Sequence, residues 1–528
     1  MKRSHDWQEQ LRALLHCDLK SLYPLAREKS RKLIFYVGPT NSGKTYAAMQ
    51  KLMAADCGSY LAPLRLLALE NYETLKANEI PVSLITGEEE IIDEESAHVC
   101  STIEMANFQI DIDVCVIDEV QMLSDRERGW AWVNAIVGIP AETVILTGSV
   151  NALNAIREIA KYLGEELEVV KFRRKNPLEM MEYPIPLKEI PPHTALITFS
   201  RSDVLALKNR LSRRHRVSVL YGNLSPEVRR EEARRFRMGE SDILVATDAI
   251  AMGLNLPIET LLFTTDEKFD GISRRPLTPN EVIQIAGRAG RYGHHESGYI
   301  GATSRKVLDH ITEMFHSPLK SIKPPFQVKA TPSQIQQLSE HLGTKNLPKI
   351  LKFFAENMRF DGPFVAANIG SMIEVSRLID AKKGLTLEEK YMLSQAPVST
   401  RSPLIKSAFL FYVDSIIKKK VVRYKPSIKL KGTARTELEL LKAEDEVKKI
   451  SLYLWLSFKL PDLFPDTQKA ITARTLVNRY CEASLKVKKL LPAKPKPTEK
   501  EGRRPGGRRE RTPPRRGGGY RGKRGRRR

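Results

Sequence analysis

Short apolar runs alternate with helix-length amphipathic stretches through the first half of the chain. Leu33–Val37, Ser59–Pro63, Asp113–Ile117 and Thr143–Thr147 are bounded by Gly, Pro or polar residues and read as buried strands. Between them, Ser42–Ala55 and Leu64–Ala77 have helical length and pattern. Apolar strands separated by helices predict a parallel sheet covered on both faces. The proline-rich break Pro184–Pro192 interrupts this rhythm, which then restarts. Thr194–Phe199, Val217–Leu220, Ile243–Ala246 and Thr260–Phe263 read as strands; Ser202–Arg214, Pro226–Met238 and Pro279–Gly290 read as helices. From about residue 306 helical periodicity takes over, as in Leu347–Met358, Ile369–Lys382 and Pro403–Lys419. The aromatic-rich stretch Tyr453–Phe464 reads as core packing of that part. Beyond about Leu491, Pro, Gly and Arg dominate, and nothing apolar remains to offset the entropy of ordering. The expected organisation is a leader (1–30), two tandem α/β domains (31–184 and 185–305), a mostly helical C-terminal region (306–490) and a disordered basic tail (491–528).

Composition changes one part of this picture. Of 528 residues, 41% are apolar and 28% charged, as in ordinary soluble proteins, but the net charge is +23. Lys494–Arg528 holds 16 Lys and Arg against 3 acidic residues, so over half of the excess charge sits in the tail. Such a balance favours polyanions, nucleic acid before an anionic membrane surface. No segment approaches the roughly 20 apolar residues of a membrane span, so no membrane association is expected. Cys17, Cys57, Cys100, Cys115 and Cys481 form no C-x-x-C pair, which argues against a zinc site and fits a reducing compartment. With no signal or transit peptide evident at the start, the expected location is cytoplasmic.

The run Gly38-Pro39-Thr40-Asn41-Ser42-Gly43-Lys44-Thr45 matches G-x-x-x-x-G-K-[ST] between a strand and a helix. Backbone N–H groups of such a loop wrap phosphates at the positive end of the helix. Lys44 would reach the β- and γ-phosphates, and the Thr45 hydroxyl would ligate Mg²⁺. Asp118-Glu119 follows the apolar run Val114–Ile117, so two carboxylates end a strand. Asp118 is the expected Mg²⁺ partner, and Glu119 the residue that polarises the attacking water. Gln284-Ile-Ala-Gly287-Arg288-Ala-Gly290-Arg291 closes the second α/β unit, its arginines three apart and expected on one helix face. Facing a nucleotide held by the first unit, Arg288 and Arg291 would neutralise charge developing on the γ-phosphate, with Gln284 completing the catalytic set.

Here the chain resembles superfamily 2 helicases, a resemblance that implies two RecA-like domains. Ala62-Pro-Leu-Arg65, Cys100-Ser-Thr102-Ile-Glu104, Phe199-Ser200-Arg201 and Val245-Ala-Thr247-Asp248 through Gly253-Leu-Asn255 look like that family's strand- and nucleotide-contacting motifs, and Leu146-Thr-Gly-Ser149 looks like its coupling motif. The resemblance places Arg65, Thr102, Ser200 and Thr247 on strand phosphates and Gly253 at the nucleotide; their donor groups fit phosphate oxygens without reading bases. More narrowly, Tyr36–Thr45, Val116–Met122, Arg128–Trp132 and Tyr453–Ser457 with Phe464–Asp466 resemble the Suv-type helicases, over roughly residues 22–470. That family supplies the motor of the mitochondrial RNA degradosome and has bacterial relatives. The resemblance implies ATP-driven unwinding of RNA in the 3′→5′ direction, with a 3′→5′ exoribonuclease as a partner. The chain lacks the family's long N-terminal extension, which favours a bacterial relative.

Asp270-Gly271 marks a hairpin in Asp266–Leu277, with Phe269 placed to stack at a duplex fork. The Arg/Gly repeats of Arg503–Arg528 resemble RNA-binding tails. The leading expectation is an ATP- and Mg²⁺-dependent RNA helicase. A DNA helicase or translocase, or an ATP-switched RNA clamp that does not unwind, remain as alternatives.

Overall fold

The computed structural model describes residue 11 and residues 13–251, 256–290 and 297–492. Gly253, Arg291 and the basic tail beyond residue 492, with the disorder expected there, lie outside the described residues.

The first domain holds β1 (Lys32–Val37), α1 (Lys44–Met53), β2 (Gly58–Ala62), α2 (Arg65–Ala77), β3 (Val82–Ile85), β4 (His98–Thr102), β5 (Ile112–Ile117), α3 (Gly129–Gly138), β6 (Ala141–Gly148), α4 (Leu153–Leu163) and β7 (Glu166–Lys171). They form an eight-stranded sheet, ordered from the edge strand Glu90–Ile91 through β3, β4, β2, β5, β6 and β1 to β7. All pairs are parallel except the one at that edge. Successive side chains of a strand point to opposite faces, so each strand feeds two cores. Leu33, Phe35 and Val37 pack with Trp132 and Ile156 on one side. Tyr36 packs with Ala48, Met49 and Leu52 on the other.

The second domain repeats the plan with β8 (Leu178–Met180), β9 (Thr194–Ile197), α5 (Arg201–Leu211), β10 (Val217–Leu220), α6 (Pro226–Arg237), β11 (Ile243–Ala246) and β12 (Thr260–Phe263). A hairpin, β13 (Glu267–Phe269) and β14 (Arg274–Pro276), then leads to α7 (Pro279–Ala286), β15 (Gly298–Ala302) and α8 (Arg305–His316). The parallel sheet has the order β8-β15-β12-β9-β11-β10. A capping box fixes the start of α7: the Thr278 hydroxyl accepts from the Glu281 N–H, and the Glu281 carboxylate accepts from the Thr278 N–H.

Three features cut across the divisions expected from sequence. Helix α8 packs Val307, Leu308 and Ile311 into the second domain's core, so that domain runs past residue 305. The leader is not separate: Leu19 is buried in the first domain's core, and His16–Cys17 pairs in parallel with Arg359–Phe360. That pair belongs to a four-stranded sheet completed by Phe364–Ala366 and Phe326–Val328.

The C-terminal region itself divides in two. Its earlier part has its own core of Ile335, Leu347, Phe354 and Tyr391, joined by Leu14 and Trp130. It is tied to the first domain where the Glu127 carboxylate accepts from the Gly370 and Ser371 N–H groups, each at 3.1 Å. The helices Pro403–Ile417, Glu437–Lys459 and Thr467–Lys486 instead share one continuous core with the second domain. Phe409, Tyr453 and Phe464 lie there with Leu196, Val219 and Val245, so the aromatic stretch is core packing as expected. Arg201 and Tyr221 of the second domain converge on buried Glu444, at 2.9 and 2.6 Å.

Candidate nucleotide site and strand channel

The register of the first sheet sets Val37 beside Gly148 and Ile117 beside Leu146. The phosphate-binding loop, Asp118-Glu119 and Ser149 therefore emerge together at the carboxyl ends of three strands, where ligands bind in open α/β sheets. The Gly38 N–H donates to the Gly148 carbonyl at 3.0 Å. A Cβ on Gly38 would lie 2.7 Å from the Phe172 carbonyl oxygen, so the loop passes too close for any side chain. Asn41 and Gly43 have φ of 60° and 84°, a left-handed course that feeds the chain into α1. Lys44 is buried, its ammonium donating to the Pro39 carbonyl at 3.2 Å across the loop.

Asp118 is almost fully buried and accepts from the Tyr60 hydroxyl at 2.8 Å, from the Thr147 hydroxyl and from the Glu119 N–H. The Thr45 hydroxyl stands 3.4 Å from its Oδ1. Burial first, and then the charge of Glu119, raise the Asp118 carboxyl above the usual carboxylate range despite those hydroxyls. A carboxylate left so short of positive charge beside a threonine hydroxyl is a donor set that fits Mg²⁺. Glu119 has φ of 55°, a position few non-glycine residues take, and that bend turns its carboxylate off the strand. Gln121 donates to that carboxylate and accepts from the Ser149 N–H at 3.2 Å. It was not singled out in sequence; the available signal was a carboxamide two residues beyond paired carboxylates.

The second domain meets this loop directly. The Asn41 amide donates to the Gly287 carbonyl at 2.9 Å, and a Cβ on Gly287 would lie 2.8 Å from Thr40 Cβ. Arg174, from the segment joining the domains, donates to the Gly287, Gly290 and Thr40 carbonyls at 2.8, 3.0 and 3.3 Å. Burial lowers its pKa to about 10. Arg288 donates to the Ala251 carbonyl, and its Nε has no hydrogen-bond partner among the described residues. Burial lowers the Arg288 pKa, opposed by the charges of Glu119 and Asp118 across the cleft. Gln284 faces a cavity of about 300 Å³ between the domains, with Pro39, Thr40, Lys44, Glu119 and Asn280 in its wall.

One expectation needs correction. Helix α7 ends at Ala286, and Gly287 caps it, so Arg288 follows the helix instead of lying on its face; Arg291 lies outside the described residues. The close approach of Gly287 to Thr40 also yields a prediction. Gly287→Ala should force the domains apart there and lower ATP turnover roughly tenfold or more, with less effect on nucleotide affinity. A steady-state ATPase assay beside nucleotide titration checks it; unchanged turnover would show that the contact plays no part.

A larger cavity, about 1040 Å³, runs between the first domain and both parts of the C-terminal region. Arg65, Thr102 and Trp130 face it from one side, Lys329 and Tyr391 from a second, and Trp455 from a third. Thr102, at the end of β4, lies in the wall of this cavity. Arg65 reaches the wall but is not free for phosphate. Its guanidinium pairs with Glu88, Glu89 and Glu227 at 2.5, 3.3 and 3.1 Å. Arg474 faces the same three carboxylates at 3.6 to 3.7 Å. Ser200 and Thr247 do not line this cavity. Ser200 caps α5, accepting from the Asp203 N–H and donating to its carboxylate. The Thr247 hydroxyl accepts from the Ala249 N–H at 3.2 Å. Lys329, which sequence reasoning passed over, holds its ammonium 4.3 Å from the Trp130 ring centroid, and burial lowers its pKa to about 8.

A phosphate-binding loop with paired carboxylates, closed by a second parallel-sheet domain that carries a half-buried arginine, defines an ATP-hydrolysing helicase motor. The comparisons agree part by part. Residues 20–172 match the DEXQ-box helicase domain of Suv3, whose Q falls on Gln121, and residues 179–293 match the helicase conserved C-terminal domain. Residues 374–415 match Suv3 C-terminal domain 1, and residues 440–487 the ATP-dependent RNA helicase SUV3 C-terminal domain. The mitochondrial DExH-box ATP-dependent RNA helicase DExH16 of Arabidopsis thaliana is 35% identical over 89% of this chain and 83% of its own length. The mitochondrial RNA helicases SUPV3L1 of Mus musculus and SUV3 of Saccharomyces cerevisiae are each 34% identical, over 84% and 85% of this chain and 59% and 64% of theirs. The chain belongs to the Suv3 family of superfamily 2 helicases. The cytoplasmic location expected from sequence is corrected by these relatives, all named as mitochondrial proteins.

Proposed function

We propose that the chain is an ATP-dependent RNA helicase that moves along single-stranded RNA in the 3′→5′ direction and separates duplexes during RNA turnover. The observation that carries this reading is the pairing of an ATP cavity between two motor domains with a strand-sized channel beside them. RNA as substrate rests on the names of the relatives. Bound at Thr45 and Asp118, Mg²⁺ would supply charge neutralisation to the phosphates. Lys44 and Arg288 approach the γ-phosphate from the two domains, and Glu119, oriented by Gln121, polarises the attacking water. Loss of the γ-phosphate removes what holds the positive groups of one domain against the other, and the Asn41–Gly287 contact opens.

ATP turnover with single-stranded RNA, single-stranded DNA or neither, beside unwinding of duplexes tailed at either end, tests this. RNA stimulation with unwinding from a 3′ tail is expected. Stimulation by DNA alone, or turnover without strand separation, overturns it.

The hairpin supplies a further prediction. Ile272 at its tip is 90% exposed and Phe269 54% exposed. The Asp270 carboxylate fixes the turn, accepting from the Ile272 and Ser273 N–H groups at 2.9 Å. Lys268 anchors the base on Asp248 and Glu281. We assign it the role of a wedge. Stacking on an aromatic ring is worth about 1–3 kcal/mol per base, so Phe269→Ala with Ile272→Ala should slow unwinding on the order of tenfold. RNA-stimulated turnover should stay unchanged; if both rates fall together, the hairpin is not a wedge.

A further inference from the structure

Between the two matched C-terminal regions lies a segment that neither covers. From Lys418 to Lys431 it holds seven basic residues and no acidic one. Its centre is extended, with Val422 and Tyr424 buried and Val421, Arg423 and Lys425 exposed in alternation. The inward side is pinned. The Val422 N–H donates to the Leu463 carbonyl at 2.8 Å, the Tyr453 hydroxyl donates to the Val422 carbonyl, and the Tyr424 hydroxyl donates to Glu446 at 2.9 Å. A ribbon held in this way presents its outward side chains in a fixed row.

Beside the ribbon lies a groove of about 550 Å³, with Phe411, Tyr412, Lys420, Arg423, Lys425 and Lys449 in its wall. Arg423 pairs with Asp466, and Lys449 with Glu446. Lys420 and Lys425 form no ion pair among the described residues, nor do Lys418, Lys419, Lys429 and Lys431. Neighbouring like charges repel, so this row does nothing for folding stability; it creates a positive field that a polyanion neutralises. Phe411, 57% exposed at the mouth, adds a flat apolar surface. Cations at fixed spacing beside an exposed ring match alternating phosphates and bases.

We propose that this groove is a second binding site for single-stranded RNA, outside the channel. The choice of RNA among polyanions rests on the helicase reading above. The helix Glu437–Lys459 separates the two sites: Trp455 and Lys459 face the channel, and Lys449 faces the groove. A strand long enough to leave the channel is held a second time, and the two contacts reinforce each other through local concentration.

The test uses the full chain, with fluorescein-labelled oligouridylates either just long enough for the channel or several times longer. The Lys420→Glu/Lys425→Glu variant should bind the long probe on the order of tenfold more weakly. Its plot of log affinity against log salt should flatten by about 1.4, from 0.7 for each lost phosphate contact on a single strand. Phe411→Ala should weaken the long probe without changing that slope. Affinity for the short probe and its stimulation of ATP turnover should not move. Photocrosslinks from 4-thiouridine in the long probe should fall within residues 411–431 and vanish in the double variant.

Unchanged long-probe binding in the double variant overturns the proposal. So does an equal loss for both probes, which would place the effect in the channel. Crosslinks absent from residues 411–431 while polyglutamate binds there would assign the groove to an acidic protein instead. If RNA fails to stimulate turnover, it is the helicase reading that fails; long-probe binding still decides the groove.

Discussion

Glu119→Gln is expected to lower RNA-stimulated ATP turnover by roughly 10²–10⁴-fold while leaving nucleotide affinity near its original value. The substitution keeps shape and hydrogen-bonding capacity but removes the charge that polarises water. Asp118, Thr45 and Lys44, which face the phosphates and the cation, are untouched. The Gln121 amide, which now donates to the Glu119 carboxylate, still finds a carbonyl oxygen there. Lys44→Ala should behave differently, weakening nucleotide binding as well as turnover, because its ammonium lies inside the loop itself. Titration with a fluorescent ATP analogue beside a coupled ATPase assay separates the two. Equal loss of binding and turnover in Glu119→Gln would assign this carboxylate to ligand binding rather than to water.

The second large effect is on stability. Arg474→Ala leaves Glu88, Glu89 and Glu227 facing Arg65 alone, three carboxylates around one guanidinium. Breaking a buried charge set by removing one partner costs about 3–5 kcal/mol; the partial exposure of the glutamates argues for the lower end. Burial alone would raise the Glu227 pKa, but Arg65 and then Arg474 outweigh it and hold it below the usual range. A depressed carboxylate contributes stability above its unfolded-state pKa and loses it as pH falls through the folded value. The deficit of Arg474→Ala should therefore be full near neutral pH and shrink in acid, below the ordinary carboxylate range. Thermal unfolding of both proteins across that range measures it. A deficit independent of pH would mean that Arg474 acts through packing.

Much of the motor was legible because its signals are local. Apolar runs such as Leu33–Val37 belong to strands buried on both faces, and the loop Gly38–Thr45 carries its geometry in its glycines. What was not legible depends on residues far apart in the chain. Arg174 looks like any basic residue of a connecting segment; beyond the nearby Asn176 carbonyl, its partners are carbonyls more than 100 residues away. Arg65 was expected on phosphate because nothing in its own helix shows that Glu88, Glu227 and Arg474 converge on it. The helix expected to reach Gly290 stops at Ala286: Ala289 pairs instead with Ile258, and Gly290 takes φ of 60°, a departure that depends on a residue far from it in the chain. The strand His16–Cys17 is too short to show an alternation of its own.

The division of the C-terminal region between the two motor domains has a consequence for how RNA is held. Thr102, Trp130 and Lys329 belong to the part built on the first domain, and Trp455 and Lys459 to the helix that shares the second domain's core. On the proposed reading, a strand in the channel would be gripped by two hands, and each catalytic cycle would slide one past the other. When one hand relaxes, the other keeps the strand at high local concentration, so the loose grip closes again before the polymer escapes. Full release needs both to fail at once. On that reading, the number of cycles completed per encounter would depend on both grips together and not on either alone.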